Sequence, residues 1–424
     1  MDKPGKPDGT TREPALRVSL DVTPLLGART GVGVFVARAL EGLAALAPSR
    51  RMQISAFAVT WRGRRQVASE LPPGVEHVRA LMPARPLHTL WGSAGLPPIE
   101  LFAGEVDVVH GTNYVVPPSR RAARVVAVHD LSFVKFPHLC DPATLVFRKL
   151  VARALAEGAL AHVPSRYVAG ELAEEYGAEA EQVRVIPYGA PSTHGQLGAH
   201  GAKERIRHLL PAGAESYVLA LGRVDPRKDL VSLVEAFDQV ASRWPDLALV
   251  VAGPDGIGTD SLREATARAA HRERIVRLGY VDDDLKASLI SGASVFAYPS
   301  IYEGFGFPPL EAMAAGTPVV ATTVGALMEV LGNAALLVPP GDPGALAGAV
   351  ESLLSDPSLA EQMRTRGLER AACYSWEASA SALADLYEEA ARSHAGRASF
   401  RRGRLHAASE PRSRDRKRTP GGRR

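Results

Sequence analysis

From Leu16 onward the chain alternates short apolar runs with segments of helical periodicity. Leu16 to Val22 is an apolar run of strand length, Val32 to Leu46 repeats its apolar positions at helical spacing, and Met52 to Val59 is apolar again. Runs at Val106 to His110 and Val125 to His129 continue the series. Apolar runs of this length, separated by helix-length segments, predict a parallel sheet with crossover helices. After Val183 to Ile186 the alternation pauses, and 191–212 reads as an interdomain linker. A second series follows, with strands at Tyr217–Leu221, Ala248–Ala252, Ile275–Leu278, Val295–Tyr298 and Val319–Ala321. Helices are predicted between them at Leu230–Ser242, at Ser261–His271, from Leu285, and at Leu310–Ala315. The economical fold class is α/β, with two doubly wound, Rossmann-like domains (16–190 and 213–375) facing a cleft. Open parallel sheets bind ligands beyond the carboxyl ends of their strands, so the loops after these strands should carry the chemistry.

Composition narrows the function classes. The 424 residues, 46% apolar and 23% charged, suit two or three ordinary globular domains and exclude a collagen or a disulfide scaffold. The only cysteines, Cys140 and Cys373, form no C-x-x-C pair and supply neither a metal site nor a disulfide framework, which fits a reducing cytoplasm. Residues 1–15 are polar and read as disordered, without the apolar stretch of a secretory signal. The longest apolar stretch, Thr317 to Pro340, is broken by Glu329 and Asn333, so a cytoplasmic protein, at most peripheral to the inner face of the membrane, is expected.

Charge changes the picture once it is located. The formal total is +4, but 393–424 holds eleven Lys or Arg against Glu410 and Asp415, so residues 1–392 carry −5. The body is mildly acidic and gives no reason to expect a specific nucleic-acid partner. The tail reads as disordered, and three readings stay open for it: contact with an anionic membrane, binding to nucleic acid, or no partner.

Candidate chemistry lies in the strand-end loops. In YPSIYEGFGFPPLEAMAAGTPVVAT a strand ends near Pro299, Gly304-Phe305-Gly306 follows, and Pro308-Pro309 opens a helix that Gly316 closes. Glycines before a helix N-terminus suggest an anion site. Glu303 and Glu311 bracket the loop and suit sugar hydroxyls better than phosphates, although a solvated Glu303 and a helix-favouring Glu311 fit the spacing equally. In LGRVDPRKDL, Arg223 and Lys228 follow a strand and could hold a diphosphate as a leaving group; taken alone they could also be solvated. Thr30-Gly31-Val32-Gly33 is half of a dinucleotide fingerprint, but with Trp61-Arg62 where a ribose-binding acid belongs it argues weakly for a nicotinamide oxidoreductase. His129 beside Asp130 ends a strand on the ligand-facing edge or serves structure there. Asp282-Asp283-Asp284 reads as a helix cap, and no metal is assigned to it.

Together these pieces resemble the family 4 glycosyltransferases, retaining enzymes of GT-B architecture, over roughly Leu16 to Ala390. The E-x7-E pattern from Glu303 to Glu311 is the most specific part. GTNYVVPPSR and VVAVHDLSFVKFP are similar to bacterial mannosyltransferases of O-antigen and exopolysaccharide synthesis. Where many such relatives carry a basic residue and Tyr, this chain has Val34-Phe35. The resemblance implies that Arg223 and Lys228 bind the donor diphosphate and that Glu311 holds the ribose. It also implies that Glu303 and the backbone of Gly304, Phe305 and Gly306 contact the hexose. Gly33 would let the first domain close over the pyrophosphate, and His129 would lie near the transferred sugar. It further implies a nucleotide-sugar donor such as GDP-mannose, with UDP-glucose as an alternative, a growing or polyprenyl-linked glycan as acceptor, no metal or other cofactor, and a helix over Trp376–Ala390 that crosses back to the first domain.

Overall fold

The computed structural model of the protein describes residues 15–27, 30–61, 63–190 and 199–409. Seven strands form the first sheet: β1 (Leu16–Asp21), β2 (Met52–Phe57), β3 (Glu76–His77), β4 (Val108–Gly111), β5 (Ala123–Ala127), β6 (Leu160–Val163) and β7 (Val183–Val185). Six form the second: β8 (Ser216–Leu221), β9 (Leu247–Ala252), β10 (Ile275–Gly279), β11 (Val295–Tyr298), β12 (Val319–Thr322) and β13 (Leu336–Val338). Every pairing is parallel, in the orders β3-β2-β1-β4-β5-β6-β7 and β10-β9-β8-β11-β12-β13. The strand order reverses between β1 and β4 and between β8 and β11. Crossovers depart there to opposite faces, and the splayed loops open a crevice at each point.

Burial on both faces explains why these strands are continuous apolar runs. Val218 and Ala220 pack with Leu249, Val251 and Phe237 on one side of the second sheet, while Leu219 and Leu221 meet Val250, Phe296 and Leu310 on the other. The Gly31–Arg50 helix is long and apolar enough to cross a membrane, alone among the described helices. Its Phe35, Val36, Ala39, Leu40 and Leu43 are buried in the core, which accounts for that composition.

Two sequence-based boundaries change. The expected linker 191–212 contains a helix, Ala199–Ile206. Its Ala202 and Ile206 are fully buried, because four-residue spacing puts both on one face, which docks beside the Asp283–Gly292 helix. Residues 191–198 lie outside the described residues. The last helix spans Trp376–Ser409, so a disordered tail does not begin at Ser393. The sequence beyond Ser393 is rich in Ala and Arg, and Pro411 is the first residue that cannot continue a helix. The disorder expected for 1–14 and 410–424 falls outside the described residues.

The last helix packs against the Gly31–Arg50 helix and against β4 and β5. A Cβ on Gly42 would lie 2.5 Å from that of Ala380, so glycine permits this close helix contact. Arg50 pairs with Asp385 at 2.8 Å, Arg184 Nε donates to Glu389 at 3.0 Å, and Tyr387 OH lies 2.7 Å from His110 Nδ1.

Three histidines are buried in this first domain. Burial lowers His129 to about 4 and His162 to about 3, and pulls His110 well below its ordinary value. The unfolded chain protonates its histidines near about 6.5, so below that pH it binds more protons than the folded chain, and stability must fall on acidification. Asp21, raised by burial to about 6, acts in the opposite sense, as do the raised carboxyls of Glu171 and Glu311, but burial also lowers His77 and His88, so five histidines stand against three carboxyls. The urea midpoint is therefore expected to fall from pH 7 to pH 5, with a shallower fall in His162→Phe; a flat profile in the unsubstituted protein contradicts this.

Candidate active site

The second sheet's switch point builds the centre of the site. The loop after β8 turns at Gly222, whose φ of +141° favours glycine, and Pro226–Lys228 form a short 3-10 turn. Asp229 then caps the Leu230–Ala241 helix by accepting from Ser232 N. This turn directs Lys228 inward, where its Nζ donates to Glu303 Oε1 and Tyr298 OH at 2.5 Å each. The ammonium also lies 4.6 Å from the Tyr298 ring centroid. Tyr298 ends β11, so the strands flanking the reversal of order supply the ammonium and the phenol. Ile301 N donates to Arg227 O at 2.8 Å, tying the two loops together.

Glu303 is only 7% exposed. Burial alone would raise its carboxyl, but the charges of Lys228 and Arg227 outweigh that and hold it below its ordinary value. Lys228 is lowered, chiefly by burial, with Arg227 adding repulsion and Glu303 opposing. The result is a largely buried pair of Lys228 and the Glu303 carboxylate beneath a cleft lined by Gly222, Arg223, Tyr298 and Pro299.

The first domain meets this centre through backbone. A Cβ on Gly304 would lie 2.0 Å from the His129 carbonyl oxygen, so only glycine permits this approach. A Cβ on Gly31 would lie 3.2 Å from the Phe307 ring, which brings the Thr30–Gly33 turn against the start of the Phe307–Ala314 helix. Gly33 sits in the first turn of its own helix, with its N–H directed to Thr30 Oγ1 at 3.5 Å. Across the cleft Arg227 pairs with Asp130 at 3.1 Å.

Other sequence-based candidates sit differently. Arg223 does not join Lys228; its side chain is half exposed and lies 3.6 Å from Asp225. Glu311 is partly buried and paired with Lys286 at 3.1 Å, and desolvation raises its carboxyl against the pull of that ammonium. Phe305 turns its ring into the core against Tyr188 and Tyr374, leaving only backbone for a ligand. His129 uses both ring nitrogens within the protein, Nδ1 at 2.5 Å from Tyr188 OH and Nε2 at 2.8 Å from Thr112 O, so it offers no free nitrogen for proton transfer. The anion site before the Phe307–Ala314 helix is poorer than expected, because Pro308 and Pro309 remove two first-turn N–H donors. Asp282 does cap its helix, accepting from Leu285 N at 2.8 Å.

Sequence reasoning missed Tyr298, Arg227 and Lys286. Tyr298 was detectable as the last residue of a strand on the ligand-facing edge. Nothing in sequence distinguished Arg227 from Arg223 as the cation that turns inward.

Comparison with known proteins agrees with this geometry. A profile described as Glycosyltransferase Family 4 matches residues 29–193, and one described as Glycosyl transferases group 1 matches 202–370. O-antigen chain mannosyltransferase B of Escherichia coli is 30% identical over 276 residues, 64% of this chain and 71% of that protein. D-inositol 3-phosphate glycosyltransferase of Streptomyces avermitilis is 31% identical over 285 residues, 64% of this chain and 61% of that protein. Among solved structures, sucrose-phosphate synthase from Thermosynechococcus elongatus is similar with a TM-score of 0.70 at 23% identity, over 88% of this chain and 98% of that one. Two doubly wound domains facing a cleft make a GT-B architecture. The chain belongs to the family 4 glycosyltransferases, which transfer a sugar from a nucleotide-activated donor.

Proposed function

We propose that the protein is a retaining hexosyltransferase that moves mannose from GDP-mannose to a growing or polyprenyl-linked glycan. The observation that carries the reading is the buried Lys228–Glu303 pair at the switch point of the second sheet. Breaking the bond from the anomeric carbon to the phosphate oxygen leaves its electron pair on the diphosphate and positive character on the sugar. A fixed ammonium at Lys228 stabilises the first charge, and Arg223, half exposed at the cleft mouth, adds a second cation on donor binding. Backbone N–H groups of Gly304, Phe305 and Gly306 contact the hexose. Glu303, held ionised, accepts from hexose hydroxyls and faces the developing positive charge. Glu311 takes the ribose hydroxyls. The acceptor oxygen attacks from the face that the diphosphate leaves and gives its proton to the departing phosphate, which retains configuration without a carboxylate nucleophile. Gly33 allows backbone to approach the pyrophosphate. His129, neutral and fully paired, acts through its position at the Gly304 contact rather than as a base. Mannose as the transferred sugar is supported by the similarity to the O-antigen chain mannosyltransferase B of Escherichia coli.

A thermal-shift panel of nucleotide sugars tests the donor, since a ligand that binds only the folded state raises the melting temperature. GDP-mannose is expected to give the largest shift; a larger one with UDP-glucose moves the proposal to that donor, and no shift with any member sinks it.

A lipid-linked acceptor lies at a membrane surface, where each added cation is worth about 1 kcal/mol. The +9 of residues 393–424 suits peripheral contact with the anionic inner leaflet. Full-length protein should co-sediment with phosphatidylglycerol vesicles, and a chain ended at Arg392 should do so several-fold less. Equal sedimentation removes the tail from the membrane contact.

A further inference from the structure

Lys228, His129 and Glu303 each have a chain neighbour that reaches into the other domain. Arg227, beside Lys228, pairs with Asp130, beside His129, at 3.1 Å. Gly304, beside Glu303, accepts from Ser165 Oγ at 2.8 Å. Tyr302, on the other side of Glu303, is 2% exposed, and its hydroxyl is bonded entirely by the first domain. That hydroxyl accepts from Leu131 N at 2.7 Å and donates to Glu171 Oε2 at 2.5 Å. Farther out, the Glu329 carboxylate caps the Arg166–Tyr176 helix from the second domain, accepting from Arg166 N and Tyr167 N at 3.1 Å each.

The pattern goes beyond general interdomain packing. The phenol hydroxyl spends both its donor and its acceptor capacity across the cleft. Leu131 is two residues from His129, and Tyr302 is one residue from Glu303. Parting the domains would break both hydrogen bonds together and release the segment that carries Glu303. The Arg227–Asp130 pair does the same for the segment that carries Lys228, and the Ile301 N to Arg227 O bond joins the two segments.

We propose that Tyr302, clasped by Leu131 N and Glu171, is a positioning residue that places Glu303 against the donor sugar only when the cleft is shut. The proposal rests on the assignment of Glu303 and Lys228 to the donor site. A hydroxyl that only glues the domains would change stability; one that positions Glu303 changes turnover.

In the full-length enzyme, Tyr302→Phe keeps the ring, packed against Phe136 at 5.3 Å between centroids, and removes the hydroxyl. With GDP-mannose, kcat is expected to fall about 10- to 100-fold, the scale of a displaced catalytic group, while the donor KM changes less than about 3-fold. The radius of gyration of the GDP-mannose-bound enzyme in solution scattering should exceed that of the unsubstituted protein. Glu171→Ala should behave in the same way. Glu171→Gln keeps an oxygen to accept from the phenol and should retain at least about a third of kcat. Wild-type kcat in both Tyr302→Phe and Glu171→Ala overturns the proposal, as does a loss of kcat with an unchanged radius of gyration. If Tyr302→Phe fails to fold, the Glu171 pair decides. Lys228→Ala assayed alongside keeps the two readings apart: full turnover there defeats the donor-site assignment, whereas its loss beside an unaffected Tyr302→Phe defeats only the clasp.

Discussion

Lys228→Ala is expected to lower kcat by about 10²-fold or more, the scale of removing one preorganised charge from a transition state. It should also cost about 3 kcal/mol of stability, because it leaves the Glu303 carboxylate buried without its nearest counter-charge. The side chains of Lys228 and Glu303 are 15% and 9% exposed, so solvent screens the pair little. The two effects should separate in the double variant Lys228→Met/Glu303→Gln. With both charges removed, most of the lost stability should return, while turnover stays at the level of the single variant. Urea unfolding and product formation measure the two quantities. Wild-type turnover in Lys228→Ala would show that the buried pair is structural.

Gly304→Ala should be nearly as damaging by a different route. The added methyl would lie 2.0 Å from the His129 carbonyl oxygen and 2.8 Å from Asp130 Cβ. The nearest clash is with backbone in the opposite domain, which no rotamer change relieves. Gly304 is absent from the positive-φ glycines, so its own conformation accepts alanine and the penalty falls on domain approach. Turnover should drop about 10²-fold through misplacement of the reacting groups. The chain should unfold at a similar temperature but show a larger radius of gyration. Unchanged scattering with unchanged kcat would mean that the close Gly304–His129 contact is not required for catalysis.

Much of the architecture is legible in the residues. The strands of both domains read clearly where they are buried on two faces, as in Leu247–Ala252 and Val295–Tyr298, since nothing polar interrupts them. The strands that escaped are short or polar. Glu76–His77 and Leu336–Val338 are too brief for a pattern, and Leu160–Val163 contains His162, whose Nε2 lies 3.2 Å from Ile186 O. The helix inside the expected linker escaped because its apolar face is only Ala202 and Ile206.

The site was legible as loops and illegible as pairs. Position after β8 and β11 puts Lys228, Glu303 and the glycines between Glu303 and the next helix at the ligand-facing edge. Which cation turns inward depends on the Pro226–Lys228 turn and on the partners brought to it from distant parts of the chain, Glu303 for Lys228 and Asp130 for Arg227. The sequence therefore grouped Arg223 with Lys228, whereas the fold pairs Lys228 with Glu303 and sends Arg227 to Asp130. His129 shows the same limit. Its place on the ligand edge was readable, but its commitment to Tyr188 and Thr112 depends on residues 59 and 17 positions away.

The most direct test of the account is to incubate the enzyme with GDP-mannose, without acceptor, and follow the anomeric protons by NMR. Slow transfer to water should release GDP and give α-mannose first, and Glu303→Gln and Lys228→Ala should each lower that rate by about 10²-fold. Release of β-mannose first, or release at an undiminished rate in both variants, would contradict retaining transfer at the Lys228–Glu303 centre.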